Sequence, residues 1–144
     1  MATTGDPRSE ILAVIDRYAT ALDRRDWELL DQVFSEDLTF DAGEWVMKTR
    51  VDYVRTVREY LDGCGPTQHL LGNYRIQLQE SGATSQCYVR AFHRGLGELA
   101  DTTYEMGGEY RDELQRTAQG WRIHHRILEV RFEMGSRDVL RGAP

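Results

Sequence analysis

At Asp62-Gly-Cys-Gly-Pro66 the hydrophobic pattern of this chain changes period, and that change limits the folds open to it. Before it, apolar residues recur at intervals of three and four. One run holds Ile11, Val14, Ile15, Tyr18, Ala19 and Leu22, another Val51, Val54, Val57, Tyr60 and Leu61. After it, alternation takes over. Cys87, Val89, Ala91 and His93 oppose Tyr88 and Phe92, and Tyr104, Met106, Gly108 and Tyr110 share one face. A 3.6-residue repeat lines one side of a helix, and a two-residue repeat lines one side of a strand. Helices first and long strands afterwards is the order of an α+β domain, with helices packed on one face of a curved, mostly antiparallel sheet.

The boundaries follow from caps and breakers. Asp6-Pro7 starts a helix that runs to about Arg25, and Asp26 caps a second, short one over 27–34. Ser35-Glu-Asp37 reads as a break, Leu38-Thr-Phe40 as a short strand, and 44–48 as its return after a turn at Gly43. A third helix covers 51–61, and strands are predicted over 67–73, 74–79, 83–94, 103–117 and 121–134. The last strand changes phase. Trp121, Ile123, His125 and Ile127 set one face and Leu128, Val130, Phe132 and Met134 the other, which calls for a bulge near Ile127. Residues 1–6 and 137–144 read as loose tails on a single domain, the second also placed to cover a pocket mouth.

Several classes of function are disfavoured. A net charge of −6 argues against nucleic acid or an anionic membrane surface as the main partner. No apolar run approaches the roughly 20 residues of a membrane span, and the N-terminus lacks the features of a signal peptide, so the cytoplasm is the expected location. Cys64 and Cys87 are expected to be free thiols. No Cys/His cluster has metal-ligand spacing, and His124-His125 point to opposite faces of a strand. Gly107-Gly108 and Gly95-Leu-Gly97 lack the helix and the lysine of a phosphate-binding loop. No metal or cofactor is implied.

One carboxylate is out of place. Asp23 extends the Ile15–Ala19 ladder by four residues, on the edge of the buried face and in the last helical turn, where the helix dipole disfavours negative charge. Taken alone, the position fits a rim ion pair with Arg24 or Arg25. The wider pattern points elsewhere. Ala21-Leu-Asp-Arg-Arg-Asp-Trp27, Phe34-Ser-Glu-Asp37, Thr67-Gln-His69 followed by Asn73, Gly108-Glu-Tyr110 and Gly120-Trp-Arg-Ile123 resemble the SnoaL-like branch of the NTF2-like superfamily over residues 8–134. Within that branch the chain is similar to the group of scytalone dehydratase, bile-acid 7α-dehydratase and hexachlorocyclohexane dehydrochlorinase.

The resemblance implies a cone: a strongly bent sheet and N-terminal helices around one apolar pocket. It also implies an Asp–His dyad without metal or organic cofactor, Asp23 and His69 standing at the two positions. Tyr18 precedes the aspartate by the spacing of the bile-acid enzyme and is the candidate acid or hydrogen-bond donor. Arg126, on the last strand, is the candidate stabiliser of an anionic leaving group or oxyanion. His93, Val89, Leu128 and Phe132 are the expected substrate-binding residues. The chemistry fits these types: an imidazole is a base near neutrality, and a carboxylate on its other nitrogen fixes the tautomer.

Each residue also has a plainer role. His69 can be a satisfied sheet histidine, Tyr18 a core tyrosine, and Arg126 the partner of Glu129 or Asp112; Trp27, Trp45 and Trp121 read as packing residues. The expected activity is a lyase, a dehydratase or related elimination or proton-transfer isomerisation, on a small hydrophobic cyclic molecule. A polyketide or terpenoid cyclase using the same pair is the second reading, and a non-catalytic binding or assembly subunit the third. A homo-oligomer, a trimer before a dimer, is the implied state.

Overall fold

The computed structural model describes residues 5–140. Helix α1 spans Pro7–Arg24; Asp6 caps it by accepting from the amides of Arg8 and Ser9, and proline stands at the first position, where no amide is needed. Ile11, Val14, Ile15, Tyr18 and Leu22 are buried, as their spacing requires. A 3-10 segment over Trp27–Gln32 follows, capped by Asp26 through the Leu29 amide. Strand β1 spans Phe34–Asp41, β2 Val46–Met47, and helix α2 Arg50–Leu61, capped by Thr49. Four long strands complete the sheet: β3 Thr67–Gln79, β4 Gly82–Arg94, β5 Thr103–Thr117 and β6 Gly120–Gly135.

The six strands lie in the order β2-β1-β6-β5-β4-β3, antiparallel throughout except for the parallel pair β1–β6. Asp6, which begins α1, is the only described part of the first expected tail apart from Gly5; residues 1–4 of that tail and 141–144 of the second lie outside the described residues. The described end of the second tail is ordered, since Arg137–Leu140 forms a 3-10 turn with Val139 buried. No described helix is long and apolar enough to cross a membrane. Cys64 and Cys87 are both buried and free.

Three local expectations are corrected. Ser35-Glu36-Asp37 lies inside β1 instead of ending it, as an irregular stretch between the points where β1 meets β6, Phe34 with Ile123 and Thr39 with His125. Helix α2 buries Tyr53 and Leu61, packs Val54, Val57 and Tyr60 against the core and leaves Val51 73% exposed, so Tyr53 stands in the inward stripe in place of Val51. The phase change in β6 comes earlier than Ile127. Glu113 pairs with His125 and Leu114 with Ile123, which leaves His124 as the extra residue and puts Arg126 and Leu128 on the inner side with Ile123. A second extra residue, Arg131, lies between Val130 and Phe132 and turns Phe132 and Met134 outward. There the Phe132 ring lies under the Arg90 guanidinium, 5.0 Å from its centroid, on the outer face.

Candidate active site

The end of α1 and the start of β3 bring the predicted dyad together. The two Asp23 oxygens accept three hydrogen bonds: from Thr67 Oγ1 at 2.9 Å, from the His69 amide at 2.9 Å and from His69 Nδ1 at 2.7 Å. Burial opposes the charge on Asp23, but the bonds from the His69 ring and amide and from Thr67 outweigh it and hold the carboxyl below the usual range. An ionised carboxylate only accepts, so Nδ1 carries the imidazole hydrogen and Nε2 is left as a base. No described residue is partnered with that Nε2.

His69 faces a cavity of about 550 Å³, within the size range of small-molecule sites. Its walls are largely apolar: Leu22, Phe40, Met47, Val57, Ala91, Met106, Leu128, Val130 and Leu140 contribute. A wider groove of about 960 Å³ lies on the surface between the 3-10 segment and α2, but neither histidine reaches it. Strand register explains the second histidine. His69 pairs with Ala91 and Thr67 with His93, so both imidazoles project to the same concave side with centroids 5.7 Å apart. His93 is buried and Nδ1 lies 3.1 Å from the Tyr104 carbonyl, to which it donates. Burial, reinforced by the neighbouring His69, pushes its pKa down to about 4, so it is a neutral acceptor in the cavity.

Tyr18 lines the cavity with two tyrosines that the sequence pattern did not single out as site residues, Tyr53 on α2 and Tyr110 on β5. The Tyr18 hydroxyl is 2.9 Å from that of Tyr53 and 3.1 Å from that of Tyr110. Three hydroxyls carry three hydrogens, and two contacts use two of them. One hydrogen is left to donate to something else in the cavity, whichever way the chain of bonds runs. Burial pushes the pKa of Tyr53 and of Tyr110 up, so both remain protonated donors. Tyr110 could be read from its motif and alternation; Tyr53 could be read from its place four residues before Val57 on the helical stripe.

Arg126 is fully buried but does not line the cavity. Asp112 grips it with both oxygens, at 2.7 Å to Nε and 2.8 Å to Nη2, and the guanidinium carbon lies 4.3 Å from the Tyr18 ring centroid and 4.0 Å from that of Tyr110. It therefore sits behind the tyrosines. Nη1 is buried with no hydrogen-bond partner, and the ring faces supply the remaining attraction. Of the expected substrate-binding residues, His93 and Leu128 line the cavity; Val89 is 1% exposed in the core, and Phe132 is on the opposite face of the sheet. Trp45, 49% exposed, stands at the cavity with Tyr60 instead of packing inside. Glu133, accepting from Tyr104 at 2.5 Å and from Arg137 Nε at 2.6 Å, also lines the cavity, as do Arg137, Glu44 and Thr56. Among the described residues no group of three or more His, Cys, Asp or Glu is placed to hold a metal ion.

A family model for the SnoaL-like domain matches residues 6–127. Rv2910c of Mycobacterium tuberculosis, an uncharacterized protein, is 28% identical over 130 residues, 88% of this chain and 86% of its own length. Among solved structures, the Kfla4162 protein of Kribbella flavida superposes with a TM-score of 0.86 at 26% identity, covering 94% of this chain and 97% of that one. A Novosphingobium aromaticivorans protein provisionally named a scytalone dehydratase superposes with a TM-score of 0.81 at 23% identity, covering 90% and 87%. That last likeness is one of fold.

Proposed function

This chain belongs to the SnoaL-like domain family, and from that premise we propose that it is a lyase acting by proton abstraction and elimination on a small hydrophobic cyclic substrate. The observation that carries the proposal is His69, its Nδ1 bound to Asp23 at 2.7 Å and its ring on an apolar cavity. In this reaction Nε2 takes a proton from a carbon next to a carbonyl group. The electron pair of that C–H bond moves toward the carbonyl, whose oxygen gains negative charge and accepts the unspent hydrogen of the tyrosine cluster. Return of the electrons forms the C=C bond and expels the β-hydroxyl, which leaves as water with the proton from the imidazolium. Atoms balance without any other reactant. Asp23 stabilises the imidazolium while it exists.

The apolar walls support a ring hydrocarbon frame over a charged metabolite, since burying an unpaired charge there is costly. The name of the Novosphingobium neighbour agrees with a dehydratase. The proposal includes a homo-oligomer, supported by Leu70, Tyr88, Phe92 and Phe132, all more than 40% exposed; sedimentation equilibrium tests it by mass.

The test is turnover of cyclic β-hydroxyketones, followed by the absorbance of the conjugated enone. Loss of activity in His69→Ala with retained fold supports elimination by this base. A product of unchanged mass would indicate isomerisation, by proton transfer or by ring closure, in place of elimination, and tight binding without turnover in the intact protein would make the chain a binding module.

A further inference from the structure

The dyad rests on a residue in a backbone conformation that its side chain does not favour. Arg25, the first residue past α1, has φ 57° and ψ 31°, the left-handed region in which a helix usually ends on glycine. A long side chain there is strained, and strain persists only where surroundings enforce it. The guanidinium supplies the enforcement. Nε donates to the Leu61 carbonyl at 3.0 Å, Nη2 to the Gly65 carbonyl at 2.7 Å, and Nη1 to both the Leu22 carbonyl at 2.6 Å and Thr67 Oγ1 at 2.8 Å. One side chain thus ties together the ends of both helices, the turn before β3 and the first residue of β3.

Three of those four acceptors are carbonyls and would serve any loop clasp. The fourth is a hydroxyl in line with Asp23. Thr67 has a single hydroxyl hydrogen, and an arginine nitrogen can only donate. With Nη1 held against Oγ1, that hydrogen is directed away from the guanidinium and onto Asp23 Oδ1, 2.9 Å away. Oδ1 is also the oxygen that accepts from the His69 ring. Without Thr67 the carboxylate would be fixed only by the His69 amide and by the imidazole it has to orient.

We propose that Arg25 and Thr67 are positioning residues for His69: the guanidinium sets the direction of the Thr67 hydroxyl, the hydroxyl sets the carboxylate of Asp23, and the carboxylate sets the imidazole. The proposal rests on the reading of His69 as the base. Neither residue lines the cavity, so neither touches substrate.

The test uses the full chain and a spectroscopic signal that needs no substrate, the downfield proton resonance of His69 Nδ1–H hydrogen-bonded to a carboxylate. It is recorded for wild type, Thr67→Val, Thr67→Ser and Arg25→Gln, each below its own melting temperature. Thr67→Val, which keeps shape and removes the hydroxyl, is expected to shift or broaden the resonance and lower kcat about tenfold to a hundredfold at unchanged KM. Thr67→Ser is expected to restore both, and Arg25→Gln to shift the resonance as Thr67→Val does. A Thr67→Val protein with the wild-type resonance and kcat overturns the proposal, as does a Thr67→Ser protein as impaired as the valine variant. If the resonance responds as expected while His69→Ala keeps full turnover, the assignment of the base fails and the positioning of the imidazole stands.

Discussion

Replacing Asp23 by asparagine changes one atom group and, through it, which nitrogen of His69 carries the hydrogen. The carboxylate accepts at both oxygens, but an amide has one oxygen and one NH2. The His69 amide is a fixed donor 2.9 Å from Oδ2, whereas the Thr67 hydroxyl at Oδ1 can turn and accept, so the amide oxygen takes the Oδ2 place. The NH2 then stands where Oδ1 was, facing Nδ1 at 2.7 Å. Two donors cannot share a hydrogen bond. The imidazole avoids the conflict by moving its hydrogen to Nε2 and accepting at Nδ1. The nitrogen on the cavity is then no longer a base, although every heavy atom is close to its original position.

The expected loss is of the order of 10⁴ in kcat, as for wrong-tautomer variants of triad enzymes, or about 5 kcal/mol of transition-state stabilisation. Stability should fall far less. Charge-assisted bonds become neutral ones, at about 1–2 kcal/mol, while removal of a negative charge from the end of α1 returns a few tenths. The tautomer is read directly by long-range nitrogen–proton correlation spectra of the imidazole, and turnover by enone absorbance. Asp23→Asn with hydrogen still on Nδ1, or with kcat within tenfold of wild type, would refute the reasoning.

The buried His93 has a pKa of about 4, below the roughly 6.5 of an unfolded imidazole. Its contribution is therefore full above about pH 6.5 and is lost as pH falls toward 4, about 3 kcal/mol in all; His93→Gln should flatten that limb in urea titrations across the range. Arg126→Met should destabilise by about 3–5 kcal/mol because Asp112 is left buried and unpaired, and Arg126→Met with Asp112→Leu should recover most of the loss. Calorimetry of the two variants decides it. A Cβ at Gly108 would stand 2.2 Å from the Glu129 carbonyl oxygen, and one at Gly107 2.0 Å from the tip of the Phe132 ring. Backbone cannot swing aside and an exposed ring can, so urea unfolding should show a loss of about 1–3 kcal/mol for Gly108→Ala and less for Gly107→Ala.

Periodicity carried the architecture because it reports burial along one element at a time. β5 could be bounded at Thr103 and Thr117 from alternation alone. It failed where a second element decides. Ser35-Glu36-Asp37 falls inside a strand because the chain meets β6 on either side of it, at Phe34 and again from Thr39, and nothing local signals that. In β6 the alternation was legible, but an extra residue at His124 and another at Arg131 shift the faces twice. Each shift moves every later side chain across the sheet, which is why Leu128 lines the cavity and Phe132 does not.

The site divides in the same way. Asp23 was legible because it stands where an isolated helix disfavours it, and the family resemblance supplied His69 as its partner. The tyrosine cluster was hidden because Tyr53 and Tyr110 lie on different elements and meet only through the hydroxyl of Tyr18. Arg126 was legible as a charge, but its place behind the rings depends on Asp112, fourteen positions away in sequence. Asp23 shows why a disfavoured position can be the informative one. A carboxylate at the C-terminal end of a helix is repelled by the carbonyls there, so three donors must be brought from another element to hold it. All three come from Thr67 and His69, and the last of them is the ring hydrogen whose placement makes the other nitrogen a base.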